Sequence, residues 1–446
     1  MGSCARAACS AAVAMTTVLA VGAPPAVAAP GWGPVVDLTG PGPATYTSDV
    51  AVSARGRVVA VWQRGTGRRA HLFMARRRHG GGWTDPARVP GTRGVTDAVA
   101  HFDGSGALVV AWASGRHVLA AQRPTGRGWD TPVSLATTPS GSANGTFPGY
   151  LALDVNARGR AVVAWQTVDD DADGVYARTR VQAVVAGSGS DWGRVHTLST
   201  RYDAFRPQVG LDDRGRATVV WSEQTGRTGS RVMVASRSVG SPWAAARSLS
   251  RRHTDTGIPS LAVAGSGRLA VAWSYGTSGL DGLKLRRWSP AGGWQRAVRA
   301  PAVAQSPAWL AIGIDAAGTV SVVLTPRLRG AVRALDEHPG GRWSAARTLS
   351  PAGSFFSDLA LEVNADGSAV AGWVSVDHGN HPVLGAYRPS SGPWSRATLL
   401  SDPQGDGFGP ELGLTPAGGA VAVWAHLRSA TTSDRGRIQA RSLRAP

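Results

Sequence analysis

Apolar residues along this chain gather in short runs that end in a tryptophan and return at a regular interval. In the first run, residues 58–61 (VVAV) lead directly into Trp62. Successive runs are 49 to 56 residues apart, a spacing typical of repeat proteins. Eight positions follow this period: Trp62, Trp112, Trp165, Trp221, Trp273, Leu324, Trp373 and Trp424.

A turn signal precedes every one of these runs. A glycine stands six residues before each repeat position, from Gly56 to Gly418, and in seven of the eight units a Ser, Thr, Asp or Asn stands three residues before the glycine. This spacing predicts a type I turn with glycine in the left-handed conformation that follows it. Residues before the turn alternate between apolar and polar, whereas those after it are almost continuously apolar. The turn therefore joins a strand with one buried face to a strand buried on both faces.

A second tryptophan series interleaves with the first and completes the unit. It follows glycine-rich turns, as in residues 80–83 (GGGW), and is preceded by a short apolar segment such as residues 232–237. Each unit of about 51 residues therefore holds four short strands, which is one blade of a β-propeller. The series consists of Trp32, Trp83, Trp129, Trp192, Trp243, Trp294, Trp343 and Trp394.

The two ends of the chain complement one another. The last unit stops after its third strand, at residues 438–441, and its missing fourth strand is present near the start, at residues 32–38. We predict an all-β fold: a single eight-bladed β-propeller of four-stranded blades over residues 30–446, closed by the N-terminal strand. Closure removes an exposed strand edge. A seven-bladed ring would leave one complete unit unexplained.

The turn before the second tryptophan resembles a degenerate Asp-box, the Ser-x-Asp-x-Gly-x-x-Trp turn of sialidase-like propellers. Residues 83–86 (WTDP) keep the Trp and the polar residue and proline after it, while the turn aspartate is missing from nearly all units. The chain thus resembles secreted bacterial β-propellers of the sialidase-like superfamily. The resemblance implies that architecture, and it transfers no catalytic residue, because the arginine cluster and tyrosine–glutamate pair of sialidases have no matching motif.

The N-terminus carries an export signal. Arg6 precedes a weakly apolar stretch at residues 7–23, and residues 26–28 (AVA) form a small-x-small cleavage pattern, so residues 1–28 are predicted to be a secretory signal peptide. No later segment has 18 consecutive apolar residues, and we expect a secreted, extracellular, monomeric protein without a membrane span. The only cysteines, Cys4 and Cys9, lie in this signal, which excludes disulfides and thiolate sites from the body.

The net charge of +18 comes almost entirely from arginine, since Lys284 is the only lysine. The arginines are spread along the chain without the basic stripe and interleaved aromatics typical of nucleic-acid binding, so no nucleic-acid partner is expected. Attraction to anionic cell-wall polymers is compatible with the charge.

One loop matches the opening of a calcium site. Asp169, Asp171 and Asp173 alternate and are followed by Gly174, a pattern in which carboxylates converge on a hard cation. The closing carboxylate of such a loop is replaced by Arg180. Calcium is therefore a candidate cofactor, with a solvated acidic loop as the alternative.

The sequence offers few candidate catalytic residues. They are Glu223 and Glu411, two of the four glutamates in the chain, which a carbohydrate-active enzyme could use. A row of polar residues out of phase with the apolar positions is expected to line the central channel, where a carboxylate pair could serve a glycosidase; hydrated or paired channel residues are the alternative. This row consists of Asp49, His101, Asp154, Gln208, Glu362 and Glu411.

The connections from strand four to the next blade and from strand two to strand three share one face of a propeller, the loop face. The short turns between strands one and two and between three and four share the other, the turn face. Because the first set is longer and more variable, we expect a binding module that recognises an extracellular glycan or protein through the loop face. The alternatives are a sialidase-like carbohydrate-active enzyme and a calcium-stabilised scaffold.

Overall fold

The structure is a computed structural model that describes residues 31–40, 42, 45–78, 81–138, 148–170, 177–189, 191–200, 203–225, 229–251, 255–276, 282–302, 307–376, 380–402, 405–427 and 436–444. The predicted signal peptide, residues 1–28, lies outside these ranges. No helix among the described residues is long and apolar enough to cross a membrane.

The chain forms eight antiparallel sheets in sequence order, each with four strands in a simple up-and-down arrangement. The innermost strands are Thr45–Val52, Val95–Phe102, Gly149–Val155, Ala204–Leu211, Ser260–Val263, Pro307–Ile314, Phe355–Val363 and Asp406–Leu414. The second strands are Val58–Arg64, Leu108–Ser114, Ala161–Asp170, Ala217–Gln224, Leu269–Gly276, Val320–Pro326, Ala369–Val376 and Ala420–Leu427. The blades are numbered 1 to 8 in this order.

The outer half of each blade is more variable. The third strands are His71–Arg76, His117–Arg123, Ala177–Ala186, Ser230–Arg237, Gly282–Ser289, Arg333–His338, Val383–Arg388 and Arg437–Leu443. The short fourth strands are Ala87–Arg88, Val133–Thr137, His196–Thr197, Arg247–Ser248, Val298–Arg299, Arg347–Thr348, Thr398–Leu399 and, for blade 8, Val36–Asp37. Asp255–Thr256, Gly293–Trp294 and Arg342–Trp343 add short pairs, and Gly67–Arg69 forms one 3-10 turn.

The ring closes as the sequence predicts. Inner strands of successive blades contact one another, and the inner strand of blade 8 contacts that of blade 1. Val36 pairs with Ala440, and the Asp37 carboxylate accepts hydrogen bonds from Arg437 at 2.7 Å and Gln439 at 2.9 Å. The eight-bladed fold and its closure by an N-terminal strand are thus confirmed.

The predicted turns are present in all eight blades. The turn glycines have φ between +72° and +89°, a region that favours glycine because it lacks a Cβ. In blade 2 the Gly106 N–H donates to the Asp103 carbonyl at 3.0 Å, and the Asp103 side chain accepts the Ala107 N–H at 2.7 Å. The polar residue that starts the turn therefore satisfies backbone donors that the tight bend leaves unpaired.

The blades are held together by an apolar core. The tryptophans of the first series are almost completely buried on the second strands, whereas most of the second series is only partly covered. Trp288 and Trp309 belong to neither series, and both are partly exposed.

Candidate functional site

Strand register places the polar row of the inner strands around the central channel. On every blade, one residue of the inner strand pairs with the second-strand residue directly before the buried Trp or Leu324. The inner-strand members of these pairs form what we call the middle row. They include Asp49, Gln208 and Glu411. Two residues further along each strand lies the lower row, with His101, Asp154 and Glu362. Two residues earlier, at the end of the strand that faces the loop face, lies the mouth row.

Most polar side chains of these rows connect neighbouring blades. The carboxylate of Asp154 accepts the backbone N–H of Leu211, on the next blade, at 2.7 Å. An innermost strand has one edge without a ladder partner, and these contacts satisfy N–H groups on that edge. We call a hydrogen bond of this kind, from a backbone N–H to a side-chain oxygen of the preceding blade, a clasp. Six blade junctions among the described residues have one: Asp49 to Ala100, Asp97 to Leu151, Asp154 to Leu211, Gln208 to Leu261, Ser260 to Ile312 and Asp358 to Gly409.

Glu362 and Glu411 differ from the other channel acids. Neither carboxyl group has a hydrogen-bond partner within the described residues. Desolvation by the surrounding protein, with a further contribution from the negative charges of Asp49 and Asp154, raises the pKa of Glu362 to about 8. Those residues are on blades 1 and 3, while Glu362 is on blade 7, so the three carboxyls face one another across the channel. Glu362 is nevertheless open to solvent, which places it in a hydrated channel.

Glu411 responds to the same surroundings. Burial raises its pKa well above the usual range, and the nearby carboxylates of Asp49 and Glu362 raise it further. A raised pKa favours the protonated form of a carboxyl group, which can donate a hydrogen bond or a proton. The channel therefore contains two glutamates without hydrogen-bond partners in the described residues, next to aspartates that join neighbouring blades.

The mouth row is shaped by β-bulges in the inner strands. In blades 3, 4 and 7 the ladder skips between the mouth and middle rows. The bulged residues Tyr150, Arg206 and Asp358 adopt φ of 52°, 49° and 50°. Non-glycine residues seldom adopt this left-handed conformation, and where they do it is often at a functional site. The bulges turn an aromatic, a cationic and an acidic side chain toward the same opening.

Arg206 links two aromatic rings at this mouth. Its guanidinium carbon lies 4.9 Å from the ring centroid of Tyr150 and 6.0 Å from that of Trp309. Trp309 is on blade 6, beyond the four-residue inner strand Ser260–Val263 of blade 5. Half of the Tyr150 surface is exposed. Tyr150, Arg206 and Trp309 together form what we call the mouth cluster, an aromatic surface with a charged donor at its centre.

Other exposed apolar side chains share the loop face. Leu328, which is 74% exposed, lies between strands two and three of blade 6. Phe355 begins the inner strand of blade 7 and packs against Arg329 at 5.0 Å. Ile258, just before the inner strand of blade 5, is also exposed. These three side chains add apolar area to the loop face.

Glu223, the first catalytic candidate, is fully buried in the second strand of blade 4. Its carboxylate pairs with Arg231 at 2.7 Å and accepts the Thr200 hydroxyl at 2.8 Å and the Trp221 indole N–H at 3.3 Å. All of these partners fix the loop end of blade 4. Glu223 and Glu411, the two candidates, therefore lie in different surroundings, and only Glu411 is in the channel.

The calcium candidates Asp171 and Asp173 lie outside the described residues, as does the side chain of Asp169. Across the ranges that are described, no group of three or more carboxylate, imidazole or thiol side chains could hold a metal ion. His381, between strands two and three of blade 7, contacts the Asp406 carboxylate through Nδ1 at 2.8 Å. This pair joins blade 7 to the start of the inner strand of blade 8.

No protein-family model matches the chain, and no curated protein sequence matches it. In fold it is similar to a puromycin hydrolase, with 18% identity over 90% of this chain and 62% of that one and a TM-score of 0.49. A Hadza microbial sialidase is 15% identical over 63% of each chain, with a TM-score of 0.38. An α-L-arabinanase from Penicillium chrysogenum is 13% identical over 92% of this chain and 98% of that one, with a TM-score of 0.44. The chain spans about three fifths of the length of the hydrolase. Such low identities concern the fold alone.

Sequence reasoning found the channel row but missed most of the mouth cluster. Trp309 stood out because it falls outside both tryptophan series. Tyr150 and Arg206 are in phase with the channel row, two residues before its middle positions, but their spacing alone does not show that the Arg206 guanidinium lies between the rings of Tyr150 and Trp309.

Proposed function

We propose that this protein is a secreted propeller module that binds a glycan at the channel mouth on its loop face. The observation that carries the proposal is the mouth cluster, with Arg206 between the rings of Tyr150 and Trp309. Aromatic rings offer flat apolar surfaces that fit the C–H face of a pyranose ring, and an arginine beside them donates hydrogen bonds to sugar oxygens.

The charge of the channel narrows the class of glycan. Carboxylates of Asp97 and Asp358 lie in the mouth row, and that of Asp49 lies below it. Carboxylates accept hydrogen bonds from sugar hydroxyls but repel a second carboxylate or a sulfate. A neutral or amino sugar therefore suits this opening better than an acidic one, and one sugar unit would contact the mouth cluster while hydroxyls point toward the acids.

A carbohydrate-active enzyme is the second candidate, and one observation favours it. Glu362 and Glu411 lack hydrogen-bond partners in the described part of the chain, and both have raised pKa values. A protonated carboxyl next to an ionised one is the arrangement by which glycosidases protonate the leaving oxygen. Asp49 raises the pKa of both glutamates and would be the ionised member: burial raises its own pKa, but the backbone N–H groups of Ala100 and Val50 donate to its carboxylate and oppose that effect.

A glycan array tests both candidates. Each spot is read for bound protein and then for loss of a terminal sugar. Saturable binding to neutral or amino glycans that Arg206→Gln weakens, with no sugar loss, supports the binding module. Sugar loss that Glu362→Gln or Glu411→Gln abolishes supports the enzyme. Silence in both readouts contradicts both glycan functions and leaves a protein partner for the loop face. The control is Arg214→Gln, an exposed arginine on the turn face.

A further inference from the structure

A cavity on the turn face, between blades 1 and 2, carries a concentration of arginine that the fold does not require. Its volume is about 530 Å³, and Val58, Met74, Phe102 and Leu108 contribute an apolar floor. Six arginines line it: Arg57, Arg76, Arg77, Arg78, Arg123 and Arg127. Neither aspartate nor glutamate is among the lining residues. We call this the arginine cavity.

The six guanidinium groups have no ionic partner within the described residues. Arg57 donates to the Gly106 carbonyl at 2.7 Å and the Thr125 hydroxyl at 3.3 Å, and Arg123 donates to the Arg127 carbonyl at 3.4 Å. All of these acceptors are neutral. The Nε atoms of Arg57 and Arg77 are buried without any hydrogen-bond partner, and an unpaired buried donor is costly unless a ligand satisfies it.

The electrostatic surroundings agree with this contact pattern. Burial lowers the pKa of Arg77, and the nearby Arg444 lowers it further. Burial and Arg76 act on the pKa of Arg123 in the same direction. No carboxylate offsets either effect, so like charges are held together in a partly desolvated place. This is the reverse of the usual arrangement, in which a buried charge is paired.

At an equivalent position elsewhere on the turn face, a largely buried arginine is paired with a carboxylate. Between blades 5 and 6, a cavity is lined by Arg268 and Arg287. The guanidinium of Arg287 forms an ion pair with the buried carboxylate of Glu337 and donates to the Gly318 carbonyl. There the protein supplies its own anion. The arginine cavity has three times as many arginines and no such acid.

We propose that the arginine cavity binds a sugar or polyol that carries several sulfate or phosphate groups. Guanidinium groups form paired hydrogen bonds with tetrahedral oxyanions. Several arginines in one cavity match several such groups on one ligand. Arg57 is already held over Phe102 at 5.6 Å from the ring centroid, so little order is lost on binding. The proposal does not rest on the function of the loop face.

Calorimetric titration of the purified protein tests the proposal, with sucrose octasulfate and myo-inositol hexakisphosphate as the two probes. We expect saturable binding of at least one probe with one site per chain, no binding of sucrose, and weaker binding at higher salt. The probe that binds more tightly distinguishes a sulfated ligand from a phosphorylated one. Arg77→Gln combined with Arg123→Gln should reduce affinity at least tenfold.

The matched control combines Arg158→Gln with Arg214→Gln. Both of these arginines are exposed in turns of blades 3 and 4 on the same face, so the variant loses the same charge but leaves the arginine cavity intact, and its affinity should stay within twofold. Because Arg77 is partly buried, Arg76→Gln with Arg127→Gln, both exposed, provides a second cavity variant with less risk to folding. Equal losses in cavity and control variants, absence of saturable binding, or equally tight binding of a single-stranded oligonucleotide would each overturn the proposal.

Discussion

The side-chain oxygen of Gln208, on blade 4, accepts the backbone N–H of Leu261, on blade 5, at 2.8 Å. These residues are 53 positions apart in sequence, and the bond crosses the junction between two sheets that share no backbone ladder. Comparable bonds recur at five further junctions in the described part of the ring. Most polar residues of the channel therefore hold neighbouring blades together.

Replacing Gln208 should weaken the ring without touching the mouth cluster. Gln208→Ala leaves the Leu261 N–H without its acceptor, and we expect the free energy of unfolding to fall by about 1–2 kcal/mol. Urea denaturation followed by tryptophan fluorescence measures the change. Gln295→Ala, at an exposed position, is the control and should have almost no effect. Equal effects of the two variants would show that the clasp contributes nothing.

Glu223 should prove to be a stability residue. Glu223→Ala removes the partner of Arg231 inside the protein, and loss of one member of a buried ion pair costs about 3 kcal/mol. Asp130→Ala, at an exposed site, should cost far less. The comparison is made by urea denaturation, together with any glycan activity found on the array. A Glu223→Ala protein with unchanged stability and lost activity would restore Glu223 as a catalytic candidate.

The repeat made the fold predictable, while the site was only partly so. Turn glycines such as Gly106 and buried tryptophans such as Trp112 recur at a regular spacing, because every blade needs the same tight turn and buries the same face of its second strand against its neighbours. The mouth cluster is not repeated, since the residue type at this position differs from blade to blade, with Tyr150, Arg206 and Trp309 on blades 3, 4 and 6. Pairing also escapes sequence reasoning: Glu223 and Glu411 look equivalent in the chain, and only the structure shows that one is ion-paired and the other is not.

Close approach of neighbouring blades gives another test, at the seam between the last blade and the first. A Cβ added to Gly413 would lie 2.5 Å from Cγ2 of Val52 and 3.0 Å from Cγ1 of Val50. Gly413→Ala should therefore destabilise the protein by about 1–3 kcal/mol through overpacking. Gly128→Ala, where nothing lies within 4 Å of the new Cβ, is the control. A thermal melt in which both variants match the wild type would contradict this account of the seam.

The raised pKa of Glu362 should make stability depend on pH. Its pKa is about 8 in the folded protein and 4.5 as the ordinary value, so between these values the folded state holds a proton that the unfolded chain releases. Stability is therefore lost as pH rises through this window. Glu362→Gln should gain stability relative to the wild type above pH 8 and show little difference below pH 4.5. Unfolding curves at several pH values measure this, and a pH-independent difference would contradict the raised pKa.

The central claim is that the mouth cluster binds a glycan, and the two tryptophans outside both series provide the most direct measurement. Trp309 contacts Arg206 at the channel mouth, whereas Trp288 stacks on Arg216 at 4.0 Å near the turn face. The affinity of the best neutral or amino glycan from the array is measured for the wild type, Trp309→Ala and Trp288→Ala. We predict at least a tenfold loss for Trp309→Ala and an unchanged affinity for Trp288→Ala. Equal affinities in all three proteins would contradict a binding site at the channel mouth.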